Sequence, residues 1–141
     1  MGKKRIVKKS GDTVGRMRSK SAQTKRKIDK AELHVHATYN NTKVLLTDQK
    51  GGALAWSSSG SLGFKGAKKG TPFAAAQVGE AVGEQAKLMG VKEASVVIKG
   101  VGSGRESSVR GFISKGITIS TIEDRTPVPF NGPKPPKPRR V

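Results

Sequence analysis

Gly100, Gly102 and Gly104 alternate with Val101 and Ser103 directly before Arg105, and this segment comes nearest to a defined chemistry. Backbone N–H groups without flanking side chains, at the start of a helix, form a concave donor set for phosphate, and a guanidinium beside them adds a planar charged fork. The plainer reading is an unliganded tight turn. A dinucleotide fingerprint fits less well: it requires G-x-G-x-x-G and an acidic residue about 20 positions on. Here the spacing is G-x-G-x-G, and the stretch to Glu123 or Asp124 is cramped for a βαβ unit. Lys65, Lys68 and Lys69 interleave with Gly63, Gly66 and Gly70, so that backbone and ammonium can both approach a phosphate chain. A charge run of this kind can equally be a solvated loop. Asn40 and Asn41 carry amides suited to base edges or 2′-hydroxyls, and Asn is also an ordinary turn former. Arg110 follows Arg105 in the same segment and joins the candidate contacts.

Other constellations lead to less. His34 and His36 alternate onto one strand face roughly 7 Å apart, as two ligands of a metal would. The chain has no cysteine to complete such a site, and packed or hydrogen-bonded histidines are the better expectation. Glu32, Asp48, Glu80 and Glu84 are too dispersed to assemble the carboxylate cluster of a two-metal nuclease, so no metal, no cofactor and no catalysis are expected. Trp56 and Phe64 either stack on exposed bases or, for Trp56 more readily, enter the core. Phe73 falls off its helix's apolar stripe. Asn131-Gly132 is sterically open to succinimide formation, which makes Asn131 a candidate isoaspartate.

The charge surrounding these residues decides among partners. The 141 residues hold 28 Lys plus Arg against 10 Asp plus Glu, a net charge of +18, which repels itself unless a polyanion neutralises it. Nucleic acid is the leading class. No stretch approaches the ~18 apolar residues of a spanning helix, and neither a signal-peptide core nor a myristoylation signal is expected, since Ile6 stands where Ser or Thr is needed. Residues 1–30 contain twelve basic and two acidic side chains and read as a basic arm. Residues 126–141 hold Lys134, Lys137, Arg139 and Arg140, no acid, and prolines that forbid regular helix, and so read as an extended tail. Residues 31–125 are nearly balanced in charge and are the expected domain.

The middle must position the candidates. Glu32–Tyr39 alternates Leu33, Val35, Ala37 and Tyr39 with polar residues, the pattern of a half-buried strand. After the Asn40-Asn41 turn, Lys43–Asp48 and Ala53–Trp56 form two further strands, separated by Gly51-Gly52. Residues 57–70 read as a loop. Thr71 is a good N-cap with Pro72 at the first helical position, Ala74, Val78, Ala81, Val82, Leu88 and Met89 share one side, and Gly90 ends the helix. Ala94–Lys99 is a buried strand, Val109, Phe112 and Ile113 stripe a second helix that stops at Gly116, and Ile117–Asp124 is the last strand. The order βββαβαβ, with helical crossovers, predicts an α/β domain with a five-stranded mixed sheet and two packed helices.

The runs HVHATYNNT, GFKGAKKGTPFAAAQV, MGVK, KGVGSGRESSVRG and TPVPFNGPKPPKPRRV resemble the bacterial form of the universal S-eleven family of small-subunit ribosomal proteins, over roughly residues 32–141. The family's glycine loop carries prolines where this chain has Val101 and Ser103, its cysteine-glycine is Leu62-Gly63 here, and its HNG is Phe130-Asn131-Gly132. Pro133 and Pro138 also depart from the bacterial tail. The resemblance implies a ribonuclease-H-like topology and a non-enzymatic ribosomal protein of the cytoplasm that bridges small-subunit rRNA helices on the platform. It further implies proximity to the Shine-Dalgarno duplex and messenger RNA, neighbours of the S-seven and S-eighteen families, and no membrane partner or homo-oligomer.

Overall fold

A computed structural model describes residues 27–138; most of the N-terminal arm, with Arg139 and Arg140, lies outside the described residues. Five strands, β1 (Lys30–Ala37), β2 (Thr42–Thr47), β3 (Ala53–Ser58), β4 (Glu93–Gly100) and β5 (Thr118–Asp124), form one sheet in the order β3-β2-β1-β4-β5. β1 to β3 are an antiparallel meander joined by short turns, while β4 and β5 run parallel to β1 and need helical crossovers. Those crossovers are α1 (Pro72–Met89) and α2 (Gly104–Ile113). This is the five-stranded mixed sheet with two helices that the residue pattern predicted, in the ribonuclease-H-like order that the resemblance implied.

Both crossovers step the same way across the sheet, from β3 to β4 and from β4 to β5. Right-handed connections in one direction put both helices on one face. α1 accordingly packs over β2 and β3, α2 over β1 and β4, and the helices pack on each other. Leu33, Val35, Val44, Leu46 and Val96 point into this layer and are essentially inaccessible, with Val78, Val82 and Phe112 meeting them from the helices. Among the described residues, the opposite face of the sheet has no covering layer.

The helix contact is made of small residues. A Cβ at Gly79 would run into the Ser108 carbonyl oxygen, and one at Gly111 into that of Ala76, so each helix needs a glycine where the other's backbone approaches. This displaces the expected stripe. Ala74, Ala75, Val78, Gly79, Val82, Gly83 and Ala86 are the buried residues of α1, whereas Leu88 is 83% exposed; Ile113 of α2 is likewise on the surface. Three further expectations are corrected. Trp56 is 65% exposed on the uncovered face of edge strand β3, not in the core. Tyr39 lies beyond the end of β1 and is exposed. Residues 57–70 are not all loop: Ser57 and Ser58 belong to β3, Ser59 is buried, and Gly66–Gly70 form a 3-10 turn. At the other boundary the folded part begins slightly before residue 31, since β1 starts at Lys30 and Ile28 packs against the core.

Candidate nucleic-acid interface

Parallel strands β1, β4 and β5 end on the same edge of the domain, and both helices begin there. Next to β1 lie β2 on one side and β4 on the other, so the chain leaves β1 in one direction and β4 in the other. Such a switch point at strand carboxyl ends is where open α/β sheets receive ligands. The loop after β1 (residues 38–41), the lysine loop, the glycine segment and the root of the tail all meet at this edge.

Glycines let them meet. A Cβ at Gly100 would strike the Ala37 carbonyl oxygen, at Gly102 that of Thr38, and at Gly70 that of Tyr39, so three consecutive carbonyls leaving β1 are each overlain by a glycine. Gly104 is closed in by Thr42 and Ala75. The donors follow suit: the Gly102 N–H donates to the Ala37 carbonyl at 3.0 Å and the Gly100 N–H to the Thr126 hydroxyl at 3.2 Å. The expected phosphate nest at Gly100 and Gly102 is therefore a packing joint, with those two donors engaged within the domain. Ser103 leaves the first turn of α2 without a side-chain cap, because its hydroxyl donates instead to the Gly70 carbonyl at 2.8 Å.

Arg105 is likewise turned inward. Its guanidinium donates to the Gly100 carbonyl, to the Asp124 carboxylate and, at 3.4 Å, to the Thr126 hydroxyl. Thr126 closes the group: its hydroxyl donates to Asp124 at 2.6 Å and its backbone N–H does so at 2.9 Å. The Thr126 hydroxyl first, then Arg105, hold the Asp124 carboxyl down to about 2. The free charged fork expected from the sequence is thus a clamp that fixes where the tail leaves β5. Neither Asp124 nor Thr126 was singled out as a partner for Arg105, although an acid two residues before a threonine is a recognisable Asx-type turn signal.

The lysine loop is built differently. Ser58 and Ser61 turn the chain out of β3 by reciprocal bonds, Ser58 N–H to the Ser61 hydroxyl at 2.9 Å and that hydroxyl to the Ser58 carbonyl at 2.8 Å. Phe64 and Phe73 meet edge to face with centroids 6.1 Å apart, tying the loop to the first turn of α1. Thr71 caps α1 by accepting from the Ala74 N–H at 3.3 Å and donates back to the Lys68 carbonyl at 2.7 Å. Lys65 and Lys68 are exposed and Lys69 half-buried, and none has a carboxylate within 4.0 Å among the described residues.

Asn40 is exposed at the tip of the β1–β2 turn. Asn41 is held by Thr38, whose hydroxyl and N–H both donate to its carbonyl at 3.0 and 2.9 Å, while its side-chain Oδ1 is buried without a partner. Arg110 does not join this edge: it lies on the helical surface, 77% exposed, paired with Glu106 one turn back. His34 accepts or donates to the Thr47 hydroxyl at 3.2 Å, and His36 is exposed. Among the described residues no group of three or more His, Asp or Glu side chains is placed to hold a metal ion. Residues 127–138 are exposed and without regular structure, carrying Lys134 and Lys137, and Asn131 has a left-handed φ of 55° before Gly132. No helix among the described residues is long and apolar enough to cross a membrane.

The sequence compared with known families gives one further finding. A family model described as Ribosomal protein S11 matches residues 31–140, which span the folded domain and nearly all of the tail.

Proposed function

We infer, from the premise that the chain belongs to the ribosomal protein S11 family, that the strand-end edge of its domain is the surface it turns toward RNA. Membership makes it a structural, rRNA-binding constituent of the small subunit of the cytoplasmic ribosome, in a family of non-enzymatic proteins that work in translation. Our reading adds the location and manner of the contact. The observation that carries it is the lysine loop: Lys65, Lys68 and Lys69 have no acid partners among the described residues, and they lie on the same strand-end edge as the root of a basic tail. Ammonium groups kept clear of carboxylates are available to phosphates, and each phosphate neutralised releases condensed counterion.

In this reading the domain docks by Lys65, Lys68, Lys69, Asn40 and Asn41, while Lys134, Lys137, Arg139 and Arg140 follow a second RNA segment, so that one protein bridges separate rRNA helices. Arg105 acts by aiming the tail and not by holding a phosphate itself. Gly102 and Gly104 contribute by letting the loops close up, and Arg110 is at most a peripheral contact on the helical side. The bridge lies on the platform beside the messenger path, with proteins of the S-seven and S-eighteen families as neighbours. Asn131, left-handed and followed by glycine, is the position proposed for isoaspartate formation.

Binding of the full chain to small-subunit rRNA, measured over a range of salt, tests the reading. Log affinity falls steeply with log salt, and Lys65→Ala/Lys68→Ala/Lys69→Ala reduces the slope by about 2 to 3, at roughly 0.7 to 0.9 per lost phosphate contact. An unchanged slope removes the loop from the contact set.

A further inference from the structure

We propose that the uncovered face of the sheet is a second RNA-binding surface, on which Lys43, His36 and Lys99 hold the backbone of a single-stranded segment while Trp56 stacks on one of its bases. The inference rests on the RNA-binding reading above and deepens it by assigning a contact on a face of the domain other than the lysine loop and tail.

The register of the sheet carries the argument. His36 of β1 pairs with Lys43 of β2 on one side and Lys99 of β4 on the other, and Lys43 pairs in turn with Ser58 of β3. Adjacent strands are about 4.8 Å apart, so Lys43 and Lys99 flank His36 across roughly 10 Å of one face. All three side chains are exposed, and none has a carboxylate within 4.0 Å among the described residues. Two lysines of like charge on one face, with no acid between them, repel each other. Lower on the same face the chain avoids this: Lys30 meets Glu93 at 3.2 Å. The face thus pairs its lysine at one end and leaves Lys43 and Lys99 unpaired at the other, the pattern a bound polyanion would resolve.

One row down, Trp56 pairs with Leu45, which pairs with His34. The indole is 65% exposed on an edge strand, adjacent to the cationic row. Aromatic rings beside a basic track are how sheet surfaces bind single-stranded nucleic acid, since each base has a face to stack and a duplex hides it. A depression of ≈ 240 Å³ lined by His36, Thr38, Asn41 and Lys43 opens at the top of the row. Asn41 contributes a polar side chain to its lining. A protein partner would require a broader apolar surface than one indole and a half-buried leucine.

Trp56 is the chain's one tryptophan, so its emission reports on this face alone. The full chain is titrated with protein-free small-subunit rRNA while filter retention and tryptophan fluorescence are followed together. The proposal expects quenching and shielding from acrylamide in step with binding. It also expects Lys43→Ala/Lys99→Ala, both exposed strand positions, to lower the salt slope by about 1.5 and to weaken the quench. Retention of RNA with unaltered Trp56 emission and acrylamide access overturns the proposal and leaves the RNA-binding reading standing. Failure to retain RNA at all overturns both. Quenching by polyglutamate but not by rRNA overturns it in favour of an acidic protein partner.

Discussion

Lysines occur at both ends of the sheet, but the two ends treat them differently. At the end opposite the strand-end edge, Lys30 pairs with Glu93 at 3.2 Å, Lys92 with Asp29 at 3.4 Å, and Lys115 with Glu84 at 3.0 Å and Glu80 at 3.5 Å; Lys27, Lys50 and Lys87 have no such pair among the described residues. At the strand-end edge the acids are taken by arginines, Asp124 by Arg105 and Glu123 by Arg125, and the lysines of the 65–69 loop are left without partners among the described residues. Exposed ion pairs contribute only about 0 to 1 kcal/mol, so stability does not account for the contrast. Its consequence is electrostatic. One end pairs half of its lysines internally, and the other leaves its loop lysines available to a polyanion.

The largest effect comes from what both ends share. Gly79→Val forces a branched side chain into the Ser108 carbonyl at the helix contact and should destabilise the domain by about 3 kcal/mol, read from the denaturant midpoint, with both ends lost together. Gly102→Ala sharpens the comparison: it meets the Thr38 and Ala37 carbonyl groups at the switch point, so about 1 to 2 kcal/mol of stability should go along with RNA affinity. Deleting residues 127–141 leaves the clamp at Thr126 intact and should leave the denaturant midpoint unchanged. It lowers the salt slope by about 3, for four cations at roughly 0.7 to 0.9 each.

The clamp itself gives a pH test. A carboxyl lowered from 3.8 to about 2 contributes stability above its unfolded value and loses it as pH falls between about 4 and about 2. The Asp124 carboxyl followed by NMR should titrate near 2, and Thr126→Val or Arg105→Ala should each move it back toward 3.8. A midpoint unmoved by both changes would dissolve the clamp. The smallest effect is expected at the opposite end, where Lys30→Ala should change stability by under about 1 kcal/mol and RNA affinity hardly at all.

Much of the fold was legible because local rules agree with it. Thr71-Pro72 starts α1, Gly90 ends it in a left-handed conformation, and period-2 alternation marks β1. The stripe of α1 was misread at Leu88 because hydropathy counts side chains. The helix contact is built from their absence at Gly79 and, across from it, Gly111, which brings backbones together. Trp56 was misread because two crossovers in one direction leave a whole sheet face bare, a property of topology invisible in six residues of strand. Of the candidate site, the lysine loop was legible as charge. The Gly100–Arg105 segment was recognisable but its role was not, since the carbonyls it packs against and the carboxylate it holds come from distant parts of the chain. The Lys43, His36 and Lys99 row was missed for the same reason: it exists only across three strands.

The contrast between the ends is tested most directly by removing three lysines from each. Lys65→Ala/Lys68→Ala/Lys69→Ala and Lys30→Ala/Lys92→Ala/Lys115→Ala change net charge equally, and the salt dependence of binding to small-subunit rRNA is measured for both. The first set should lower the slope by about 2 to 3 and the second should leave it unchanged. Equal falls for the two sets would mean that RNA reads only total charge, and would contradict a strand-end interface.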